Sequence, residues 1–272
     1  MSYSPKSSIA QAFSKAAASY DSAAQFQRDT GHKLLDPVLS RANVEPLASQ
    51  RWLDLGSGTG YFTELLAASG AHVVGLDLAL GMLSHAKAQR SSQGSKQLSH
   101  PLTWVNGDAE SLPLQDNAFD LVFSTLALQW CDDLGRALQE AHRVLKPQGE
   151  MYFTTLVAGS LTELTQAWQQ VDDKHHVNAF LSQAEIAAAV CQADFSHVEL
   201  QVLPEVVSYP NALALLRDLK GIGANHVPTR AHAAGLGGRG ALAAMCQAYE
   251  SFRNDHGMLP ATYQVCYAKL IK

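Results

Sequence analysis

The sequence predicts an α/β fold built on a doubly wound parallel β-sheet. Short apolar segments of strand length alternate with helical segments between residues 51 and 157, and this alternation is typical of parallel sheets. The first strand runs directly into a glycine-rich turn, which in an open α/β sheet lies beside the ligand-binding crevice. With 272 residues, of which 47% are hydrophobic, the chain can bury an apolar core on both faces of such a sheet.

The spacing of apolar residues predicts the elements of the core in order. An Ala-rich helical region at 6–40 precedes the first strand at 51–55. The second strand, 72–78, contains a nearly continuous apolar run, as expected for a strand buried on both faces. The remaining predicted elements are helices 61–69, 81–90 and 134–145, strands 102–106, 119–124 and 150–157, a polar loop at 91–100 and a turn at 146–149.

The last third is predicted to add two strands, 197–207 and 261–271, and helices at 162–171, 182–191, 213–220 and 241–253. Roughly 50 residues separate these two strands, far more than the 2–6 residues of an ordinary connection. We therefore expect a lid over the carboxyl edge of the sheet. The predicted domain plan is N-terminal lid helices (1–48), a cofactor-binding core (49–208), a helical lid insertion (209–258) and the last core strand (259–272).

Composition argues against several classes of protein. The net charge is −5 and no basic run is present, which disfavours nucleic-acid binding. The apolar runs are much shorter than the roughly 20 residues of a membrane span, and the polar N-terminus does not resemble a signal peptide. The cysteines at 131, 191, 246 and 266 form no C-x-x-C motif, so we expect reduced thiols in a cytoplasmic protein rather than a zinc or thioredoxin site.

The strongest local motif is Asp-Leu-Gly-Ser-Gly-Thr-Gly at residues 54–60. Its third glycine comes one residue earlier than in the G-x-G-x-x-G loop of nicotinamide-binding proteins. No Gly-Lys-Ser/Thr follows it, which excludes a nucleoside-triphosphate loop. The pattern resembles the first motif of class I methyltransferases, which bind S-adenosylmethionine, and its candidate cofactor-binding residues are Asp54, Gly56, Gly58 and Gly60.

Acidic residues at the next two strand ends extend this prediction. Asp77 ends the second strand, where a carboxylate can accept hydrogen bonds from both ribose hydroxyls of a nucleoside. Asp108 follows the third strand and can accept from the adenine amino group. Each residue alone has a structural explanation as a cap or a turn, but their order at successive strand ends predicts a nucleoside cofactor. Further candidates near these ends are Leu78, Met82 (over the adenine face), Ala109 and Ser124.

Beyond the core, nearly the whole chain resembles the malonyl-acyl-carrier-protein O-methyltransferases of biotin synthesis. The stretch Leu-Lys-Gly-Ile-Gly-Ala at 219–224 is the more specific, because it falls in the variable lid. The N-terminal stretch and Gln129-Trp130 are shared with other small-molecule methyltransferases and therefore specify less. The other similar stretches are FSKAAASYD at 13–21, QR at 27–28, LALQWC at 126–131, FTTL at 153–156, GSL at 159–161, EL at 163–164, NAFL at 178–181 and PATY at 260–263.

This resemblance implies a Rossmann-like class I methyltransferase fold, with a doubly wound seven-stranded sheet, an antiparallel last strand and a helical lid. It also implies methyl transfer from S-adenosylmethionine to the free carboxylate of a malonyl thioester on acyl carrier protein, or on coenzyme A, at the start of pimeloyl synthesis. A carboxylate is ionised at pH 7 and needs no general base, which agrees with the lack of an evident Ser-His-Asp constellation.

A separate set of residues is expected to meet the acceptor. Tyr20, Trp130, Phe180 and Lys220 are the candidates for the pocket wall. Arg28, Arg217, Lys220 and the backbone amides of 221–223 are the candidates for holding the substrate carboxylate. Each basic residue can also be an ordinary surface charge. The adjacent His175 and His176 point apart on a helix, so no metal site is expected.

Two other functions fit the same core. One is a methyltransferase acting on a free small molecule such as a quinone precursor, and the other is a non-catalytic protein that only binds S-adenosylmethionine. A nicotinamide oxidoreductase is disfavoured by the spacing of the glycines. A carrier-protein enzyme should show a basic patch at the mouth of its pocket, because carrier proteins are acidic. A protein that only binds the cofactor would lack a second cavity for an acceptor.

Overall fold

The computed structural model describes residues 6–42, 47–92, 99–224 and 237–272. In this part of the chain, seven strands form one sheet in the order β3-β2-β1-β4-β5-β7-β6. The strands are β1 (Arg51–Leu55), β2 (His72–Asp77), β3 (Thr103–Asn106), β4 (Phe119–Thr125), β5 (Leu145–Leu156), β6 (His197–Tyr209) and β7 (Leu259–Ile271).

The directions of the strands confirm the predicted topology. Strands β1 to β5 pair in parallel, whereas β7 runs antiparallel to both of its neighbours, β5 and β6. The order of the strands reverses between β1 and β4, and in such sheets the crevice outside the carboxyl ends at this point is the place where ligands bind.

Helices cover both faces of the sheet. On one face, Leu138 of the fifth helix and Ile186 of the seventh are buried in the same cluster as Leu53. On the other face, Phe62 of the third helix packs with Trp52. The helices are α1 (Lys6–Ala23), α2 (Gln25–Ala42), α3 (Tyr61–Ala68), α4 (Leu80–Ser92), α5 (Leu134–Val144), α6 (Thr162–Gln169), α7 (Gln183–Gln192), α8 (Ala212–Gly221) and α9 (Gly237–Tyr249).

The predicted helical region at 6–40 is divided into two helices, α1 and α2, which meet at Ala24. Arg28 explains the break. Its Nη1 donates to the carbonyl of Asp21 at 2.5 Å, and in a continuous helix that carbonyl would accept from the amide of residue 25. The buried Ala24, only 2% exposed, fixes the corner.

The predicted turn at 146–149 is also revised. Leu145 already pairs with Phe119, so β5 starts before the turn, and the register shifts before Leu121 pairs with Glu150. Gln148 takes a positive φ of 62° within this irregular stretch. The turn signal in the sequence therefore marks a bulge inside a strand.

The lid insertion of the predicted domain plan contains α8 and α9, while residues 225–236 within it lie outside the described residues. Beneath α6, α8 and α9, a separate apolar cluster packs against the first half of β7, with Trp168, Leu215 and Tyr249 among its buried members. Among the helices of the described segments, none is both long enough and apolar enough to cross a membrane. The domain plan itself stays a prediction.

Candidate functional site

The glycine loop between β1 and α3 adopts a backbone that few other residues tolerate. Gly56, Gly58 and Gly60 have φ angles of 79°, 55° and 87°, in the left-handed region that glycine enters without penalty. A Cβ at Gly56 would lie 2.3 Å from the Cβ of Ala127, whereas a Cβ at Gly58 would have no described heavy atom within 4 Å. Gly56 is therefore required for packing, and Gly58 leaves its backbone open to a ligand.

Asp77 fixes this loop from the end of β2. Its Oδ2 accepts from the amide of Gly58 at 2.8 Å, and its Oδ1 accepts from the amide of Ala79 at 2.7 Å. Burial raises the pKa of Asp77, and these two hydrogen bonds act in the opposite direction. Each carboxylate oxygen has a further lone pair available, so Asp77 can still accept hydrogen bonds from a nucleoside.

A cavity of about 760 Å³ lies along these strand ends, and we call it the cofactor cavity. Seven of the ten predicted cofactor-binding residues line it, namely Gly56, Gly58, Asp77, Leu78, Met82, Asp108 and Ala109. The fold therefore places most of the predicted cofactor-binding residues around one cavity.

The other three residues, Asp54, Gly60 and Ser124, support the cavity from behind. Asp54 is 2% exposed and accepts from Oγ1 of Thr63 at 2.5 Å, and burial raises its pKa to about 7. Ser124 donates to the carbonyl of Leu55 at 2.7 Å, which ties β4 to β1. Gly60 forms the N-cap of α3.

Sequence patterns did not single out Lys6, which lines the cofactor cavity from α1. Its Nζ lies 2.6 Å from Oδ2 of Asp108 and 2.7 Å from Oε1 of Glu110. Asp108, predicted to meet the adenine amino group, thus already accepts from an ammonium. Since Lys6 is 102 residues from Asp108 in sequence, no local pattern could have predicted the contact.

Two more hydrogen bonds hold α1 against the core. Oγ1 of Thr59 donates to Oδ1 of Asp21 at 2.6 Å, and the amide of Gly81 donates to Oγ of Ser14 at 3.1 Å. These contacts join α1 to the glycine loop and to the start of α4. The helix therefore forms one wall of the cofactor cavity.

A second cavity, of about 1260 Å³, adjoins the first, and we call it the acceptor cavity. All four predicted pocket residues, Tyr20, Trp130, Phe180 and Lys220, line it. The two cavities share four lining residues, which are Phe13, Tyr20, Leu126 and Trp130. The sequence alone did not reveal the apolar pair of Phe26 and Tyr263, whose stacked rings lie 4.1 Å apart in the wall.

The charge of the acceptor cavity is biased towards binding an anion. Lys220 lines it and makes no ion pair within the described residues. No Asp or Glu of the described chain lines this cavity. Arg28 and Arg217 line neither cavity. The guanidinium of Arg28 is engaged by the Asp21 carbonyl and by Oε1 of Gln25.

The backbone amides of 221–223 are not free to bind a carboxylate, contrary to prediction. The amide of Ile222 donates to the carbonyl of Asp218, and that of Gly223 donates to the carbonyl of Lys220. The two glycines have another use. A Cβ at Gly221 would lie 2.7 Å from the Cβ of Ala23, and one at Gly223 would lie 3.2 Å from the Cβ of Ala16. They let the end of α8 approach α1 closely.

The core matches a family model described as a methyltransferase domain over residues 53–153. A malonyl-[acyl-carrier protein] O-methyltransferase from Serratia marcescens is 43% identical over 267 residues, which cover 98% of this chain and 96% of that protein. The biotin biosynthesis bifunctional protein BioHC from Cellvibrio japonicus is 42% identical over 98% of this chain. The matched region spans 50% of the length of that bifunctional relative.

A solved structure with the same fold is that of the YcgJ protein from Bacillus subtilis. Its TM-score is 0.61 at 21% identity, and the match covers 89% of this chain and 98% of the other. The match to the Serratia marcescens protein covers 98% of this chain and therefore extends well beyond the common core. The chain belongs to the malonyl-[acyl-carrier protein] O-methyltransferase family, whose members are S-adenosylmethionine-dependent enzymes with a Rossmann-like fold.

Proposed function

We propose that the protein methylates the free carboxylate of a malonyl thioester on acyl carrier protein, which starts the synthesis of the pimeloyl precursor of biotin. The observation that carries this proposal is the acceptor cavity, which adjoins the cofactor cavity and has a lysine but no carboxylate among its described lining residues. The names of the relatives support the choice of a carboxylate on a carrier protein. A protein that only bound the cofactor would not need this second cavity.

The residues of the cofactor cavity fit S-adenosylmethionine. Gly58 leaves open space for a ligand beside the backbone, and Asp77 offers two charged acceptors for the ribose hydroxyls. Met82 lines the cavity and supplies an apolar side chain on the adenine side. When bound, S-adenosylmethionine supplies an electrophilic methyl group on a sulfonium.

The residues between the cavities position the reactants and keep water away. A malonyl carboxylate is ionised at neutral pH, so the reaction needs alignment rather than a base, and alignment alone can lower a barrier by several kcal/mol. The rings of Phe13 and Trp130 meet edge to face, with centroids 5.2 Å apart, in the wall common to both cavities. Together with Tyr20 they exclude water from the transfer site.

Burial also protects the site from a competing nucleophile. Cys131 lines the cofactor cavity, and a thiolate there would compete for the methyl group. Burial raises the pKa of the Cys131 thiol far above its ordinary value, so the sulfur stays protonated. Burial likewise raises the pKa of Tyr20 and keeps its hydroxyl neutral.

Lys220 is our candidate for holding the substrate carboxylate. It lies in the last turn of α8 and lines the acceptor cavity. Arg217, one turn earlier on the same helix, is exposed and lines neither cavity. We assign to Arg217 the guidance of the acidic carrier protein, since surface charges accelerate encounter without direct contact.

Competition between three acceptors tests this function. The purified protein is given S-adenosylmethionine with a labelled methyl group and, separately, malonyl-carrier protein, acetyl-carrier protein or a demethylated quinone. We expect label only on the malonyl thioester, because the acetyl thioester has no second carboxylate. Label on the quinone alone would overturn the choice of substrate, and no label on any acceptor would favour a protein that only binds the cofactor.

We also propose the cytoplasm as the site of the reaction. Thiols stay reduced there, and the four cysteines, all of which fall within the described residues, are free.

A further inference from the structure

A third cavity borders the acceptor cavity, and the proposed function gives it no role. Its volume is about 1150 Å³, and we call it the arm groove. The arm groove and the acceptor cavity share five lining residues, which are Trp168, His176, Val177, Asn178 and Phe180. The two spaces therefore lie side by side, and a ligand that reaches from one into the other would pass along these shared side chains.

Two of the shared side chains, Trp168 and His176, are stacked on each other and held by a hydrogen bond. The rings of Trp168 and His176 are stacked with centroids 3.7 Å apart and an interplanar angle of 8°. Nε2 of His176 lies 2.7 Å from Oδ1 of Asp172, and this hydrogen bond fixes the plane of the imidazole. The stacked pair gives an extended ligand a firm apolar surface.

The irregular segment 172–180 lines the groove from the surface inwards. Residues 173–175 are exposed, whereas 176–178 are partly buried. The side chains of Lys174 and His175 form no hydrogen bond or ion pair with any described residue, and neither does the amide of Asn178. Asp173 is the one carboxylate among the described residues of this groove. The groove thus has free polar groups at its inner end and free basic groups at its rim.

We propose that the arm groove binds the phosphopantetheine arm of the thioester substrate, with its phosphate at Lys174. This inference rests on the proposed function, because a malonyl group in the acceptor cavity obliges the rest of the thioester to leave by a continuous path. The arm is a flexible chain with two amides, a hydroxyl and a dimethyl branch. Asn178 and Gln169 can hydrogen-bond its amides, Trp168 can pack against its methyl groups, and a lysine suits its phosphate.

The test compares a long and a short substrate on a matched pair of variants. Gln169 lines the groove, whereas its neighbour Gln170 does not, and both are exposed at the end of α6. Gln169→Trp should obstruct the arm, and Gln170→Trp adds the same bulk outside the groove. The substrates are malonyl-phosphopantetheine and malonyl-N-acetylcysteamine, which ends before the outer half of the arm.

We expect Gln169→Trp to raise the KM of malonyl-phosphopantetheine by about tenfold, a loss of about 1.4 kcal/mol, and to leave the KM of the short substrate unchanged. Gln170→Trp should have the same KM as the unaltered protein for both substrates. Lys174→Ala should raise the KM of malonyl-phosphopantetheine about fivefold, as for an exposed ion pair, without affecting malonyl-pantetheine, which has no phosphate. The exposed Lys15, which lines no described cavity, is the control for Lys174.

Equal effects of Gln169→Trp on the long and short substrates, or no effect on either, would overturn the arm groove while leaving the methyltransferase intact. A Lys15→Ala effect as large as that of Lys174→Ala would remove the phosphate assignment. Failure of the unaltered protein to methylate any malonyl thioester would overturn the proposed function itself, and the arm groove with it.

Discussion

Replacing Asp77 by Asn tests the cofactor site at constant volume. The carboxylate accepts from the amides of Gly58 and Ala79 on its two oxygens. Asn has one oxygen and one NH₂ group, so in either orientation one of these amides faces a donor. The ribose also loses a charged acceptor, and a hydrogen bond to a charged group contributes about 1.5–3 kcal/mol. The Kd of S-adenosylhomocysteine should therefore rise by about 10- to 150-fold, as measured by calorimetry.

Asp120→Asn is the matched control for this experiment. Asp120 also accepts from a backbone amide, that of Arg51 at 2.8 Å, and from Lys146, but it lies near the amino end of β4, away from the cofactor cavity. The Asp120→Asn variant should bind S-adenosylhomocysteine with the same Kd as the unaltered protein. NAD should stabilise neither variant nor the unaltered protein against heat. Equal Kd values for Asp77→Asn and the unaltered protein would refute the assignment of Asp77 to the ribose.

Three further predictions concern the acceptor side, the lid and the core. Lys220→Met should raise the KM for malonyl thioesters about tenfold without changing the affinity for the cofactor. Arg217→Ala should slow only the reaction of the carrier-bound substrate, and this effect should disappear in high salt. Amide hydrogen exchange should slow in 6–30 and 209–258 when S-adenosylhomocysteine binds, and unchanged exchange in both would contradict a lid. Burial raises the pKa of Asp54 from 3.8 to about 7, so the folded state retains a proton that the unfolded state loses between these values. The free energy of unfolding then falls as pH rises through this window. Asp54→Asn should flatten that fall and raise the free energy of unfolding by at most about 4 kcal/mol at pH 8. Urea unfolding at pH 5 and pH 8 measures this difference. Equal gains in stability at both pH values would disprove the raised pKa of Asp54.

The fold was predictable from sequence because burial on both faces leaves a strong pattern. The apolar run of 73–78 and the glycine loop at 54–60 fixed the positions of β1 and β2. The break at Ala24 was not predictable, because it depends on the hydrogen bond from Arg28 to the Asp21 carbonyl, and Ala itself favours a helix. The bulge at 146–149 resembled an ordinary turn for a similar reason, since it is recognised only from the flanking pairs of Leu145 and Glu150 with the distant strand β4.

The candidate site was predictable where its residues follow strand ends and less so elsewhere. Asp77 and Asp108 come directly from the order of the strands, and both line the cofactor cavity. Lys220 was a candidate only because of the resemblance to a family, since nothing in the sequence of α8 indicates that this helix lies beside a cavity. Lys6 and Phe26 escaped notice because their partners, Asp108 and Tyr263, are far away in the chain.

A reaction that needs no base depends on how precisely two ligands are held, and α1 is the element that connects their sites. Its residues Phe13 and Tyr20 line both cavities. Near its start, Lys6 is paired with Asp108 in the cofactor cavity. Along its length, α1 packs against Gly221 and Gly223 beside Lys220. A side chain at Gly221 would clash with Ala23, force α8 away from α1 and move Lys220 relative to the cofactor cavity. Gly221 therefore acts through packing beside Lys220, as Gly56 of the first motif does beside Ala127, whereas Gly58 leaves its backbone open to a ligand.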